Sequence, residues 1–435
     1  MKLLIKNAKT LPKYLKSTED GLIDCEILIE DEVILKIASK IPTEADRTVD
    51  VQGNLVIPGL IDPQVHFREP GQENKEDIES GSRAANRGGF TSVICMPNTK
   101  PTADKPEVLE HVYKRAAAVA SCDVYPTACI TKELKSEELV DFALLKKHGA
   151  IAFTDDGRGV QDDGLMKMAM QRLARLDAVV LDHAEDEKIS KKGSIHLGGK
   201  ALKYGLAGID PMSEAVHIER GCRLSLETGC HYHALHISSK ESIEHVRAAK
   251  AKKAKVTAEV SPHHLLLCDA DIPERGERDL DANWKMNPPL RGQLDREACV
   301  QALADGTIDM IATDHAPHTV EEKNKKISEA PFGIVGLETA FPLIYTHFVL
   351  KGIISLEKMV DMMTIAPAKL FKIDRGQLKN GAIANLTVID LDKEQVIQAA
   401  DFHSKGRNTP FNGWKVKGIP MMTIYKGRVV FENGA

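Results

Sequence analysis

L-V-I-P-G-L-I-D-P-Q-V-H-F-R-E-P-G (55–71) is an apolar run that ends abruptly in an amide, an imidazole and a guanidinium. An apolar run without polar alternation suits a strand covered on both faces, as in a parallel sheet. Reactive side chains placed directly after such a strand suit the mouth of a barrel enzyme. The triplet Gln64-Val65-His66 occupies the place of an H-x-H metal pair, but its first member is an amide. Whether this mouth holds metal depends on what the rest of the chain brings to it.

Taking 55–62 as the first, seven further segments of the same kind follow. They are F-T-S-V-I-C-M-P (90–97), D-V-Y-P-T-A-C-I (123–130), A-I-A-F-T-D-D (150–156), A-V-V-L-D-H (178–183), Y-H-A-L-H-I-S (232–238), K-V-T-A-E-V-S (255–261) and I-D-M-I-A-T-D-H (308–315). Most are followed by an amphipathic helical stretch such as A-D-K-P-E-V-L-E-H-V-Y-K-R-A-A-A-V (103–119). Strands alternating with helices in this number predict an α/β fold, a closed (β/α)8 TIM barrel over 55–374. The two ends read differently. K-L-L-I-K-N and C-E-I-L-I-E-D-E-V-I-L-K-I alternate apolar with polar residues, as do A-N-L-T-V-I-D-L-D and M-M-T-I-Y-K-G-R-V-V-F. Residues 1–54 and 375–435 are therefore expected to meet as one small composite β-sandwich domain.

The totals agree with a globular enzyme. With 435 residues, 43% hydrophobic and 28% charged, the chain is long enough for a barrel-sized core. No apolar run reaches the roughly 18 residues of a membrane span. The opening M-K-L-L-I-K-N reads as a strand, not a signal peptide. A net charge of −5 argues against nucleic acid as a partner. Eight scattered cysteines without a C-x-x-C pair read as buried free thiols in a reducing cytoplasm.

The chemistry collects where a barrel predicts it, at the C-terminal ends of the strands. After strand one come Gln64, His66 and Arg68; after strand two, Asn98. Strand four ends in Asp155-Asp156, strand five in Asp182-His183, strand six in His236 and strand eight in Asp314-His315-Ala316-Pro317-His318. A single histidine at a strand end is most simply a hydrogen-bonded structural residue. Imidazole and carboxylate at several strand ends together, with no thiolate, suit zinc or another divalent ion in a catalytic site. His263-His264 after strand seven are read as structural, since the other residues already fill the coordination. His233 and His236 cannot both point inward, and His236 lies nearer the strand end. The segment 319–333 ends in Pro331-Phe332-Gly333 and reads as a lid. The charged stretch P-E-R-G-E-R-D-L-D-A-N-W (273–284) reads as a solvated loop.

Nine stretches in order resemble a known family. They are H-F-R-E-P-G (66–71), M-P-N-T (96–99), F-T-D-D-G (153–157), D-H-A-E-D (182–186), H-I-S-S-K-E-S (236–242), T-A-E-V-S-P-H-H-L-L-L (257–267), K-M-N-P-P-L-R (285–291), A-T-D-H-A-P-H (312–318) and A-P-F-G-I-V-G-L-E-T-A-F-P-L (330–343). On these the chain resembles the amidohydrolase superfamily and, within it, the dihydroorotases of the bacterial type I kind. The resemblance implies a reversible cyclisation of N-carbamoyl-L-aspartate to L-dihydroorotate, with one or two zinc ions. It implies that Asp156 bridges two ions, His183 and His236 holding one, and His66 with Asp314 the other. Substrate contacts implied are His66, Arg68, Asn98, Asn287, His318 and the main chain at Phe332 and Gly333, with Asp314 as the catalytic acid–base. Gln64 departs from the pattern, so the ion beside it is expected to be weak, labile or absent.

The same resemblance raises alternatives. Hydantoinases and allantoinases share the barrel but bridge their metals with a carbamylated Lys, which F-T-D-D-G lacks. Arg68 suits a carboxylate substrate, where allantoinases tend to carry Asn. A reading of a different class is an inactive dihydroorotase-like partner of aspartate transcarbamoylase, recognised by lost ligands. Here one position, 64, is lost. The family also implies a homo-oligomer such as a dimer, and association with aspartate transcarbamoylase.

Overall fold

The computed structural model describes residues 1–276 and 278–434. Glu277, within the 273–284 stretch, and Ala435, the last residue expected in the composite domain, lie outside the described residues. The first barrel strand is Leu60–Val65, followed by Phe90–Cys95 and Asp123–Pro126. The fifth to eighth are Val179–Asp182, His231–Ala234, Val256–Val260 and Met310–Ile311. All ladder pairs among them are parallel.

Strand four is where the structure departs most from the sequence reading. The stretch 150–156 forms no ladder of its own; Phe153 alone bridges Ala128 on one side and Val180 on the other. The hydrogen bonds still cross it, from Thr154 N to Ala128 O (2.9 Å) and Leu181 N to Phe153 O (2.9 Å). Closure is made by a bridge from Val65 to His315, with His66 N donating to His315 O at 2.9 Å. Strands six and eight are shorter than expected for a physical reason. His236 (φ +31°) and Asp314 (φ +49°) adopt left-handed backbone, which a ladder cannot continue through.

The apolar run 55–62 splits at Gly59. Leu55–Pro58 leaves the barrel and pairs with Leu386–Val396 and with Lys2–Thr10. Gly59 has no room for a side chain, because a Cβ there would lie 2.2 Å from Thr91 Oγ1. The sandwich expected of the two chain ends is a single continuous eight-stranded sheet. Its order is Arg428–Glu432, Lys415–Tyr425, Leu386–Val396, Leu55–Pro58, Lys2–Thr10, Ile23–Glu30 and Val33–Ala38, with Arg47–Asp50 also paired on Lys2–Thr10. Register shifts interrupt its ladders, for example between Asp390 and Glu394. Its core of Leu3, Ile5, Ile27, Val56, Leu386 and Ile424 is separate from the barrel core.

The barrel is wrapped by helices such as Ile78–Arg87, entered through a capping box of Asp77 and Ser80. All eight cysteines are buried and free. Among the described residues, no helix is long and apolar enough to cross a membrane.

Candidate active site

The strand ends deliver their side chains into one cavity of about 110 Å³. It is lined by His66, Arg68, Asn98, Asp156, His183, His236, Asn287, Asp314 and Phe332, among others. Three of these, Arg68 (φ +61°), His236 and Asp314, hold left-handed backbone. Non-glycine residues in that conformation cluster at functional sites, where the surrounding structure enforces them.

Asp156, His183 and His236 form a cluster whose ligand atoms lie within 4.8 Å of one another. His183 Nδ1 is 2.9 Å from His236 Nε2 and 3.3 Å from Asp156 Oδ1, and His236 Nε2 is 3.6 Å from that same oxygen. Donors about 2.1 Å from a tetrahedral ion lie about 3.4 Å from each other, so this triangle has the size an ion needs. All three side chains are buried. The buried Asp156 Oδ2 accepts no hydrogen bond. That combination of donor set, spacing and unsatisfied oxygen fits a divalent metal.

A neighbouring position is less complete. His66 Nε2 lies 3.3 Å from Asp156 Oδ2 and 3.2 Å from Asp314 Oδ1. Asn98 Oδ1 accepts from His66 Nδ1 at 2.9 Å, which leaves Nε2 as the free donor atom. Gln64 is fully buried, its Nε2 3.4 Å from Asp156 Oδ1 and its Oε1 without a partner. The amide thus turns its N–H side to the carboxylate that a metal would use. As placed, it competes for Asp156 instead of adding a ligand; its oxygen is the group left to coordinate after a flip.

Glu185 is a residue the sequence reading missed. Its carboxylate lies 3.3 Å from His183 Nε2 and accepts from Asn287 Nδ2 at 2.7 Å. A carboxylate on Nε2–H fixes the tautomer that presents Nδ1 towards Asp156. Burial works to lower the His183 pKa, but the Asp156 and Glu185 carboxylates overcome it and push it up to about 10. In return, and again against burial, His183 draws Glu185 down to about 2. The signal available in the sequence was its spacing, two residues after His183.

The other expected residues are placed as follows. Arg68 is buried, its Nε donating to Pro317 O at 3.3 Å and its Nη2 lying 3.3 Å from His318 Nε2. His318 Nε2 lies 2.8 Å from Phe332 O, and burial with the nearby Arg68 keeps the imidazole neutral. Gly333 closes against Ala316, where a Cβ would meet the carbonyl oxygen at 2.4 Å. His233 is fully buried and bonded to Glu259 (3.0 Å) and Thr257 (2.8 Å), apart from the cluster. His264 Nε2–H donates to Pro288 O at 2.9 Å; His263 and His264 both lie outside the metal cluster. The 273–284 stretch is more than a solvated loop: Leu280 is buried with Ile327 and Ala330 of the lid.

Comparison with known proteins shows the family and the fold. The family model described as "Dihydro-orotase-like" matches residues 53–242. A dihydroorotase of Geobacillus sp. (strain WCH70) is 51% identical over 436 residues, covering 100% of both chains. One of Bacillus caldolyticus is 53% identical over 418 residues, 96% of this chain and 97% of that one. Among solved structures, the L-hydantoinase (dihydropyrimidinase) from Arthrobacter aurescens has a TM-score of 0.86 at 28% identity, over 100% of this chain and 96% of that one. A D-hydantoinase gives 0.85 at 25% identity, with the same coverage. The hydantoinases share the fold at about half the sequence identity of the dihydroorotases.

Proposed function

The chain belongs to the dihydroorotase family of cyclic-amide hydrolases, and on that premise we propose how its residues divide the work. The reaction is the reversible cyclisation of N-carbamoyl-L-aspartate to L-dihydroorotate, a step of pyrimidine synthesis. The observation that carries the assignment of roles is a single cavity shared by the Asp156–His183–His236 cluster and the Arg68 guanidinium.

We assign the metal as zinc, because its donors are buried imidazoles and a carboxylate with no thiolate among them. Asp156, His183 and His236 would hold it firmly; His66 and Asp314, beside Gln64, would hold a second ion weakly. When bound, such an ion supplies Lewis acidity to the amide carbonyl and acidity to the attacking water.

The chain's own groups do the rest. Arg68 receives the substrate carboxylate: with Nε–H engaged by Pro317 O, the Nη1–H and Nη2–H groups are left to form the fork. Asn98, Asn287, His318 and the main chain at Phe332 and Gly333 complete the substrate contacts. In ring opening, Asp314 takes a proton from the water as its oxygen bonds to the ring carbonyl carbon. It then gives the proton to the ring nitrogen as the C–N bond breaks. In synthesis the same carboxylate takes a proton from the carbamoyl nitrogen and delivers it to the departing oxygen. Assembly as a homodimer, association with aspartate transcarbamoylase and a cytoplasmic setting belong to this reading by family resemblance.

Substitution Arg68→Met tests the substrate assignment. The expected result is a KM for L-dihydroorotate raised about 10- to 100-fold, the worth of a charge-assisted pair, with metal content unchanged. A variant that binds dihydroorotate normally refutes the role of Arg68.

A further inference from the structure

Two buried ammonium groups stand under the lid, and the reaction uses neither. Lys285 and Lys323 are 4% and 3% exposed. Among the described residues, their hydrogen-bond acceptors are main-chain carbonyls. Lys323 Nζ donates to Pro331 O at 2.9 Å and to Lys285 O at 3.3 Å. Lys285 Nζ donates to Ala330 O at 2.7 Å and to Ser328 O at 3.3 Å, and lies 4.5 Å from the centre of the Phe332 ring. Gly333 N returns to Lys285 O at 2.9 Å.

Burying a cation among carbonyl dipoles with no carboxylate in direct contact is unfavourable, though Asp281 and Glu322 attract Lys323 from farther off, and an apolar side chain of similar length would avoid it. Burial accordingly depresses Lys285 to about 8, and burial with the neighbouring Lys285 depresses Lys323 to about 7. What the arrangement achieves is geometric. Pro331 directly precedes Phe332, and Lys285 directly precedes Met286 and Asn287. Phe332, Met286 and Asn287 all line the active cavity. The two ammonium groups therefore tie the lid to the opposite wall one residue away from the cavity on each side.

We propose that Lys285 and Lys323 are positioning residues that clamp the 328–331 segment to the Lys285 backbone, setting Phe332 and Gly333 against the substrate. The role rests on the substrate contacts assigned above. It is tested on the full-length, metal-loaded protein with Lys323→Met and Lys285→Met, which keep most of each apolar stem.

Two readouts are taken: amide hydrogen exchange across 328–333, and steady-state kinetics with L-dihydroorotate. Loss of one hydrogen bond to a buried acceptor is expected to speed exchange about tenfold, confined to the lid. KM is expected to rise by a similar factor while kcat moves less and metal content stays constant. Unchanged lid exchange overturns the clamp whether or not the protein turns over dihydroorotate. Faster exchange with an unchanged KM overturns it too, leaving a merely structural tie. If Lys323→Met fails to fold, Lys285→Met carries the same test through Ser328 and Ala330. A wild-type protein with a protected lid but no turnover contradicts the substrate assignment instead.

Discussion

At Glu185 one carboxylate serves two partners, the Nε2–H of His183 and the amide of Asn287. Removing it frees His183 to rotate or change tautomer, without taking away any of the three donors. Glu185→Ala is therefore expected to weaken metal binding about 10- to 100-fold, as loss of such an outer partner does elsewhere. Titration against a chelator of known affinity measures this, and an unchanged dissociation constant refutes it. Residues such as His66, Asp156, His183, His236 and Asp314 could be named from sequence because each directly follows an apolar strand. Glu185 could not, because an acid in D-H-A-E-D looks as solvated as its neighbour Asp186. Only the fold shows which of the two turns back onto the histidine.

Strand four is centred on Phe153. Phe153 is fully buried, packs edge-to-face on Phe142 with centroids 5.1 Å apart, and bridges both neighbouring strands. Phe153→Ala should lower stability by about 3–5 kcal/mol through the cavity it leaves. Denaturant unfolding measures it; a loss under about 1 kcal/mol would show that the Phe153 ring does not anchor the strand. Which segments become strands was legible from apolar runs bounded by turn residues. Their lengths were not, because the left-handed backbone at His236 and Asp314 is imposed by the closed barrel mouth. Nor could the run 55–62 reveal that its first half pairs with Leu386–Val396, since both halves are equally apolar.

For the whole molecule, metal, protonation and assembly of the site are one equilibrium. In the metal-free chain His183 holds a proton up to about 10, so an ion must displace it. Metal affinity should therefore rise as pH increases from 6 to 9, by up to about tenfold per unit for one displaced proton. Affinity independent of pH across that window contradicts it. The sign for stability is opposite. The raised imidazole stabilises the metal-free chain fully below its ordinary value of 6.5, and this contribution is lost as pH rises towards 10. The barrel and the chain-end sheet were both foreseeable as units, but the joining of the two chain ends into one continuous sheet through Leu55–Pro58 was not. The central claim is a working dihydroorotase with one firm metal site and one compromised by Gln64. It is tested most directly by titrating the metal-free protein with zinc and recording turnover of L-dihydroorotate against equivalents added. The expected result is activity that saturates at one equivalent per chain. Activity that needs two tightly held equivalents, or none at any zinc concentration, contradicts it.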